Sequence, residues 1–322
     1  MFERSKLFQI SEQYKPFQYP WAYDAWVTQQ KIHWIAEEVS LSDDVKDWKI
    51  KLSSDERNLL THIFRLFTQM DVEVCNAYTQ IYPQIVKNNE ILNMFTAFAN
   101  METIHQDAYS KLIDTVGMPE IEYSVFKEYD EMASKCDFLH SQKIDTVENF
   151  ILTLVIFGAF TEGLQLFASF AILLNFQRFN KMKGMCQIVE FSIKDETLHV
   201  ESLIKLFHVL LKEYPELNTE KLQNKILMAA KKIVEMEDKF IDLVFEHGDI
   251  EGLTKEEVKQ YVRFMCNLRL NQLKIPPLFD VPSNPLDWIA DIVSGMSFTN
   301  FFDNRVTEYS KASTEGDWES VF

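Results

Sequence analysis

Along most of this chain, apolar side chains recur at alternating steps of three and four, the rhythm of a helix with one face turned to a core. Four stretches show it best. About 55–82 carries Leu60, Ile63, Phe64, Phe67, Val74 and Tyr78 on one face, and about 89–116 carries Ile91, Phe95, Phe98, Tyr109, Leu112 and Val116. About 146–176 runs through Ile151, Val155, Gly158, Leu166, Ser169 and Leu173, and about 185–212 through Val189, Ser192, Leu203, Leu206 and Leu210. Two more amphipathic helices are predicted at about 220–247 and 254–273, followed by a proline-rich crossing, "KIPPLFDVPSNPLDW" (274–288). No proline falls between Pro119 and Pro215 or between Pro215 and Pro276, which favours uninterrupted helices. No alternating β-branched run bounded by turn residues competes as a strand. The fold class predicted is all-α: one helical domain over 1–300 and a polar tail over 301–322 with no clear stripe.

Each of the four stripes is broken by polar residues at core-facing positions. Asp71 lies in the first, Glu162 in the third, and the second and fourth each contain Glu-x-x-His, as "ETIH" (Glu102, His105) and "ETLH" (Glu196, His199). The i,i+3 spacing puts both side chains of each motif on one helix face. The pattern repeats: Asp71 precedes Glu102 by 31 residues, and Glu162 precedes Glu196 by 34. Glu162 is the extreme case, the one charged residue in "ILTLVIFGAFTEGLQLFASFAILL" (151–174). An unpaired carboxylate in apolar surroundings is costly enough to demand a partner.

That apolar run is long enough to span a membrane. It is single, lacks strongly basic flanks and carries an acid at its centre, so it reads as a buried helix of a bundle. The net charge of −17 disfavours nucleic-acid backbones and anionic membrane surfaces as partners. Four scattered cysteines without a C-x-x-C pair, and a start without an apolar leader, point to a reducing, cytoplasmic setting.

Four carboxylates and two imidazoles on facing helices form the ligand set of dimetal carboxylate bundles. Hard carboxylate oxygens neutralise and bridge two iron and/or manganese ions, and one imidazole per ion leaves positions open for oxygen. Metal charge would then compensate Glu162. A third motif of the same geometry, "DFLH" (Asp137, His140), has no matching helix and is left out. Tyr109, one turn beyond His105, is either a core tyrosine or a redox tyrosine. Asp195 is either a surface acid or an acceptor for a ligating imidazole N–H, and Trp34 by itself reads as packing.

Asp71, "ETIHQDAY", "FTEGLQLF" and "KDETLH", in that order, resemble the radical-generating small subunit of class I ribonucleotide reductase over roughly 20–310. The resemblance implies a ferritin-like helical bundle with Asp71, Glu102 and His105 on one metal and Glu162, Glu196 and His199 on the other, bridged by Glu102 and Glu196. It implies a radical position at Tyr109, an electron path through Trp34 and Asp195, and a hand-over at Tyr309. It also implies docking of a large catalytic subunit on "DWESVF", a homodimer, and activation by oxygen. The chain departs from the family at Ser192, a polar residue beside Leu166 and Phe170 in a pocket usually apolar; some branches keep the oxidant on a manganese-containing site instead. A ferritin-like dimetal oxidase acting on a bound small molecule or lipid shares the ligand set.

Overall fold

Helix caps set the boundaries of the fold. The computed structural model describes residues 4–290 and 292. Helix α1 spans Pro20–Lys31, α2 Ser54–Asn76, α3 Asn89–Val116, α4 Asp130–His140, α5 Val147–Arg178, α6 Lys183–Glu213, α7 Glu220–Val244 and α8 Lys255–Gln272. Ser53 and Glu56 form a reciprocal capping box at the start of α2, as do Thr254 and Glu257 at α8. Asn88, Thr146 and Thr219 cap α3, α5 and α7, each accepting a bond from the backbone N–H three residues on. Helix α3 stops at Gly117, whose φ of 85° lies in the left-handed region where glycine carries no steric penalty. The long predicted helices are all present. Helices α1 and α4, which lack a strong apolar stripe, were not predicted.

Helix α6 has no side-chain cap of its own; it begins after Met182, which has φ 52°. Its first amides are taken from a distance. Asp44 accepts bonds from Gly184 N (2.9 Å) and Met185 N (2.8 Å), and Asp47 from Met182 N (2.9 Å). Both acids are buried, where a carboxylate at a helix N-terminus also meets the positive end of the helix dipole.

Helix α2 packs along α3, and α5 along α6; α3 also lies against α6, joining the pairs into a four-helix core. Helix α1 covers α3 and α6, whereas α7 and α8 pack on each other and against α5. Among the described residues no strand forms; Ile250 and Leu253 make one isolated bridge. Helix α5 passes a length-and-hydropathy test for a membrane span, but 89% of its most apolar window is buried inside the bundle, as the reading of a core helix requires. The compact body containing these helices is Met1–Pro285; the chain from Leu286 onward is a separate unit, described only to Ala290 and at Ile292. The predicted division at 300/301 lies outside the described residues, as do Tyr309 and "DWESVF".

One feature of α5 does not follow from the 3/4 rhythm. Val155–Leu166 runs in π register, and Thr161 bonds its hydroxyl to the carbonyl five residues back, Ile156 O, at 3.0 Å. A shorter π turn, Ala77–Ile81, continues α2. Such widened turns are uncommon and concentrate at functional sites. Within the π segment, Gly158 lets α5 approach α6: an added Cβ would lie 2.5 Å from Leu203 Cδ1 and 2.7 Å from Leu203 Cβ. Gly158→Ala should therefore overpack this contact and lower stability by about 1–3 kcal/mol. Urea unfolding of the metal-free protein measures this, and an unchanged midpoint would refute the close approach.

Candidate metal centre

The six polar residues that interrupt the stripes meet at the middle of the four-helix core. Helix α2 supplies Asp71, α3 Glu102 and His105, the π segment of α5 Glu162, and α6 Glu196 and His199; none is more than 1% exposed. Two overlapping groups form. Asp71, Glu102 and His105 can each offer a ligand atom within 4.8 Å of the others, as can Glu102, Glu162, Glu196 and His199. Glu102 belongs to both.

The imidazoles show how the carboxylates are shared. His105 Nδ1 lies 3.6 Å from Glu102 Oε2 and 3.4 Å from Glu196 Oε1. His199 Nδ1 lies 3.1 Å from Glu102 Oε1, 3.4 Å from Glu162 Oε1 and 3.6 Å from Glu196 Oε2. Glu102 and Glu196 thus each turn one oxygen toward either imidazole, the arrangement a bridging carboxylate needs. Asp71 Oδ2, both oxygens of Glu102, Glu162 Oε2, both oxygens of Glu196 and His199 Nδ1 are buried without a hydrogen-bond partner. Buried polar atoms are nearly always satisfied, so this many orphans converging on one point fit a site that binds cations. The donor set, carboxylate oxygen with imidazole nitrogen, fits iron and manganese.

Protonation reflects the same crowding. Burial raises Asp71 well above the usual carboxylate value and Glu162 to about 8, with neighbouring carboxylates adding to the rise. Burial pushes His105 and His199 down, but the surrounding acids outweigh it and hold both well above the ordinary imidazole value. Glu196 is lowered against its burial by the two imidazoles.

The outer imidazole nitrogens converge on one buried acid. His105 Nε2 donates to Asp195 Oδ2 (3.0 Å), and Trp34 Nε1 donates to the same oxygen (2.8 Å). Gln29 Nε2 donates to Asp195 Oδ1 (2.7 Å), and Gln29 Oε1 accepts from His199 Nε2 (3.2 Å). Of the two readings open for Asp195, the acceptor holds; Trp34 is a hydrogen-bond donor to it as well as a packing residue. Trp34 also stacks on His105, with ring centroids 5.9 Å apart. Tyr109 is buried against Phe67 (4.6 Å between centroids), and its hydroxyl is 3.3 Å from Ser192 Oγ. Ser192 gives its own proton to Ile188 O (3.0 Å), so it accepts from Tyr109. Burial raises the Tyr109 phenol above its ordinary value. "DFLH" stays outside the cluster: His140 pairs with Glu73 at 2.7 Å.

Sequence reasoning missed three contributors. Gln29 continues the Ala22–Ala25 stripe of α1, a signal too short to stand out. Tyr78, seven residues after Asp71 on the same stripe, was read as core; its hydroxyl donates to Glu162 Oε1 at 2.7 Å. Arg269 of α8 is buried and donates from Nε to Gly163 O (2.7 Å), holding the residue next to Glu162; burial lowers its guanidinium to about 10. A Cβ on Gly163 would meet that Nε at 2.7 Å.

The chain is similar to known proteins along most of its length. The sequence model of the ribonucleotide reductase small chain matches residues 11–285. The probable ribonucleoside-diphosphate reductase small subunit of Invertebrate iridescent virus 3 is 39% identical, covering 99% of this chain and 89% of its own. The ribonucleoside-diphosphate reductase subunit beta of Chlamydia pneumoniae is 28% identical, covering 92% and 89%. Among solved structures, the ribonucleotide reductase R2 subunit of Clostridium botulinum superposes with a TM-score of 0.82 at 24% identity, over 88% of this chain and 91% of its own. The dimanganese(II)-NrdF of Streptococcus sanguinis gives 0.75 at 21% identity, over 86% and 96%. These last two likenesses speak for the ferritin-like fold, and the sequence match over 11–285 for the lineage: the chain belongs to the ribonucleotide reductase small-chain family.

Proposed function

We propose that this chain, as the small subunit of a ribonucleoside-diphosphate reductase, holds two ions of iron and/or manganese on the six buried residues. Asp71, Glu102 and His105 hold one, Glu162, Glu196 and His199 the other, and Glu102 and Glu196 bridge them. The observation that carries the reading is the set of seven buried, unpartnered ligand atoms facing one another. When bound, the ions supply redox chemistry with oxygen and so the oxidising equivalent that the large catalytic subunit uses to reduce ribonucleotides. Nothing in the family, the fold or the site favours the dimetal oxidase reading.

The protein's own residues have separable tasks. The carboxylates offset the charge of the ions, and Asp195 fixes His105 by accepting its Nε2 proton, so that Nδ1 faces the cluster. Trp34 Nε1, Asp195 Oδ2 and His105 Nε2 make a continuous hydrogen-bonded line out of the core, suited to moving an electron with its proton. The line ends near the surface helix α1, and Tyr309 in the C-terminal segment takes it up toward the large subunit, which docks on "DWESVF". Tyr109 stores the oxidant or packs beside it, with Ser192 as hydrogen-bond acceptor. The functional unit is a homodimer in the cytoplasm.

Three outcomes test this. Glu162, raised to about 8, holds a proton at pH 7 in the metal-free protein, Asp71, His105 and His199 are shifted in the same direction, and ligation requires the loss of such protons. Mn(II) binding should therefore release at least one proton, and affinity should fall about tenfold per pH unit for each proton displaced as pH drops; pH-independent affinity would contradict the assignment. Glu196→Ala should lower Mn(II) content below one ion per chain, read by elemental analysis. Tyr309→Phe should keep the full metal content and still abolish turnover with the large subunit, and full activity would remove Tyr309 from the path.

A further inference from the structure

Glu162 is held from outside the cluster by a residue with no assigned role. Tyr78 stands on the π turn Ala77–Ile81 and Glu162 on the π segment Val155–Leu166, so both partners occupy widened helical turns. The Tyr78 hydroxyl donates to Glu162 Oε1 at 2.7 Å, while Glu162 Oε2 has no partner. The ring cannot swing away. It is 2% exposed and wedged between Phe95 and Phe98, with centroids 5.6 and 5.7 Å distant, and it meets His199 edge-on at 5.9 Å. A phenol fixed this firmly dictates which carboxylate oxygen is engaged and which is free.

We propose that Tyr78 is a positioning residue that fixes the Glu162 carboxylate and favours Oε2 over Oε1 as its metal-binding oxygen, and so sets the affinity of the Glu162–His199 half of the centre. This rests on the two-metal reading above. The phenolic proton takes one lone pair of Oε1 and weakens that oxygen as a ligand, so the unpartnered Oε2 is the stronger donor. The halves of the centre are thereby made unequal. On the Asp71 side the outer partner of His105 is the carboxyl group of Asp195; on the Glu162 side the outer partners are the phenol of Tyr78 and the amide of Gln29. A neutral donor on a ligand carboxylate lowers the charge it offers, whereas an anionic acceptor on a ligand imidazole raises its basicity.

The neighbouring Tyr82 provides an internal control. It is equally buried, its ring lies 5.8 Å from that of Tyr78, and its hydroxyl has no partner. Removing either hydroxyl takes one oxygen from the same aromatic cluster, but only one of them touches a ligand.

The test is a Mn(II) titration of the full-length protein, read by the EPR signal of free Mn(II), on the wild type, Tyr78→Phe and Tyr82→Phe, with melting of each metal-free form recorded. The wild type should bind two ions. Tyr78→Phe should change the affinity of one ion by about 10- to 100-fold and leave the other within twofold, the usual scale for losing a hydrogen bond to a ligand. It should also alter the EPR spectrum of the coupled Mn(II) pair, and Tyr82→Phe should do neither. Equal weakening of both ions, an equal effect of Tyr82→Phe, or no effect of Tyr78→Phe would each overturn the proposal. If Tyr78→Phe fails to fold, 3-fluorotyrosine incorporation into the wild type replaces it: the stronger phenol donor must shift the affinity of one ion, and two unshifted affinities overturn the proposal. A wild type that binds fewer than two Mn(II) ions would instead strike at the two-metal reading itself.

Discussion

Four carboxylates packed into one buried space, with two imidazoles as their cationic partners among the described residues, is the constraint around which this molecule is organised. Each isolated buried carboxylate would cost several kcal/mol. The fold tolerates the group because every member is anchored on a long helix whose buried face is largely apolar, so repulsion cannot push the acids apart without breaking the core. The same rigidity holds the acids in place to receive ions. Stability and function oppose each other here at the level of single side chains, and the apolar bulk of α5 is what decides between them.

Outside the cluster, the polar groups are arranged so that the acids are neither left bare nor fully satisfied. Asp195 ties the outer nitrogens of both imidazoles together, one directly and one through Gln29, so a change of charge on either histidine is felt by the other. Arg269 reaches from α8 to the backbone beside Glu162, supplying a donor to a carbonyl in the π segment. Buried networks of this kind stiffen one another when every member has a partner. Among the described residues, most of the buried atoms left unpartnered belong to the cluster itself.

Much of this was legible in the sequence because it is written in periodicity. The 3/4 steps located the long helices to within a few residues, and acids on those steps at Asp71, Glu102, Glu162 and Glu196 could only point inward. What stayed hidden depends on contacts between distant segments. Tyr78 sits on a core stripe where any aromatic would serve, and nothing local distinguishes a phenol that caps a carboxylate from one that fills space. Gln29 lies on a short helix of weak amphipathicity, and its two partners are 166 and 170 residues away. The π register is not legible in the 3/4 pattern, because Gly158, Glu162 and Leu166 follow one another at steps of four that an α-helix also uses.

The borrowed cap of α6 has a consequence for how the protein comes into being. The helix bearing Glu196 and His199 cannot complete its first turn until Asp44 and Asp47, some 135 to 141 residues earlier, have docked against it. Contacts of such sequence separation close late, since a long loop must lose its freedom first. A partly folded chain thus carries the ligands without the geometry to gather them. The cluster is thereby assembled together with the shell that surrounds it, and not before it.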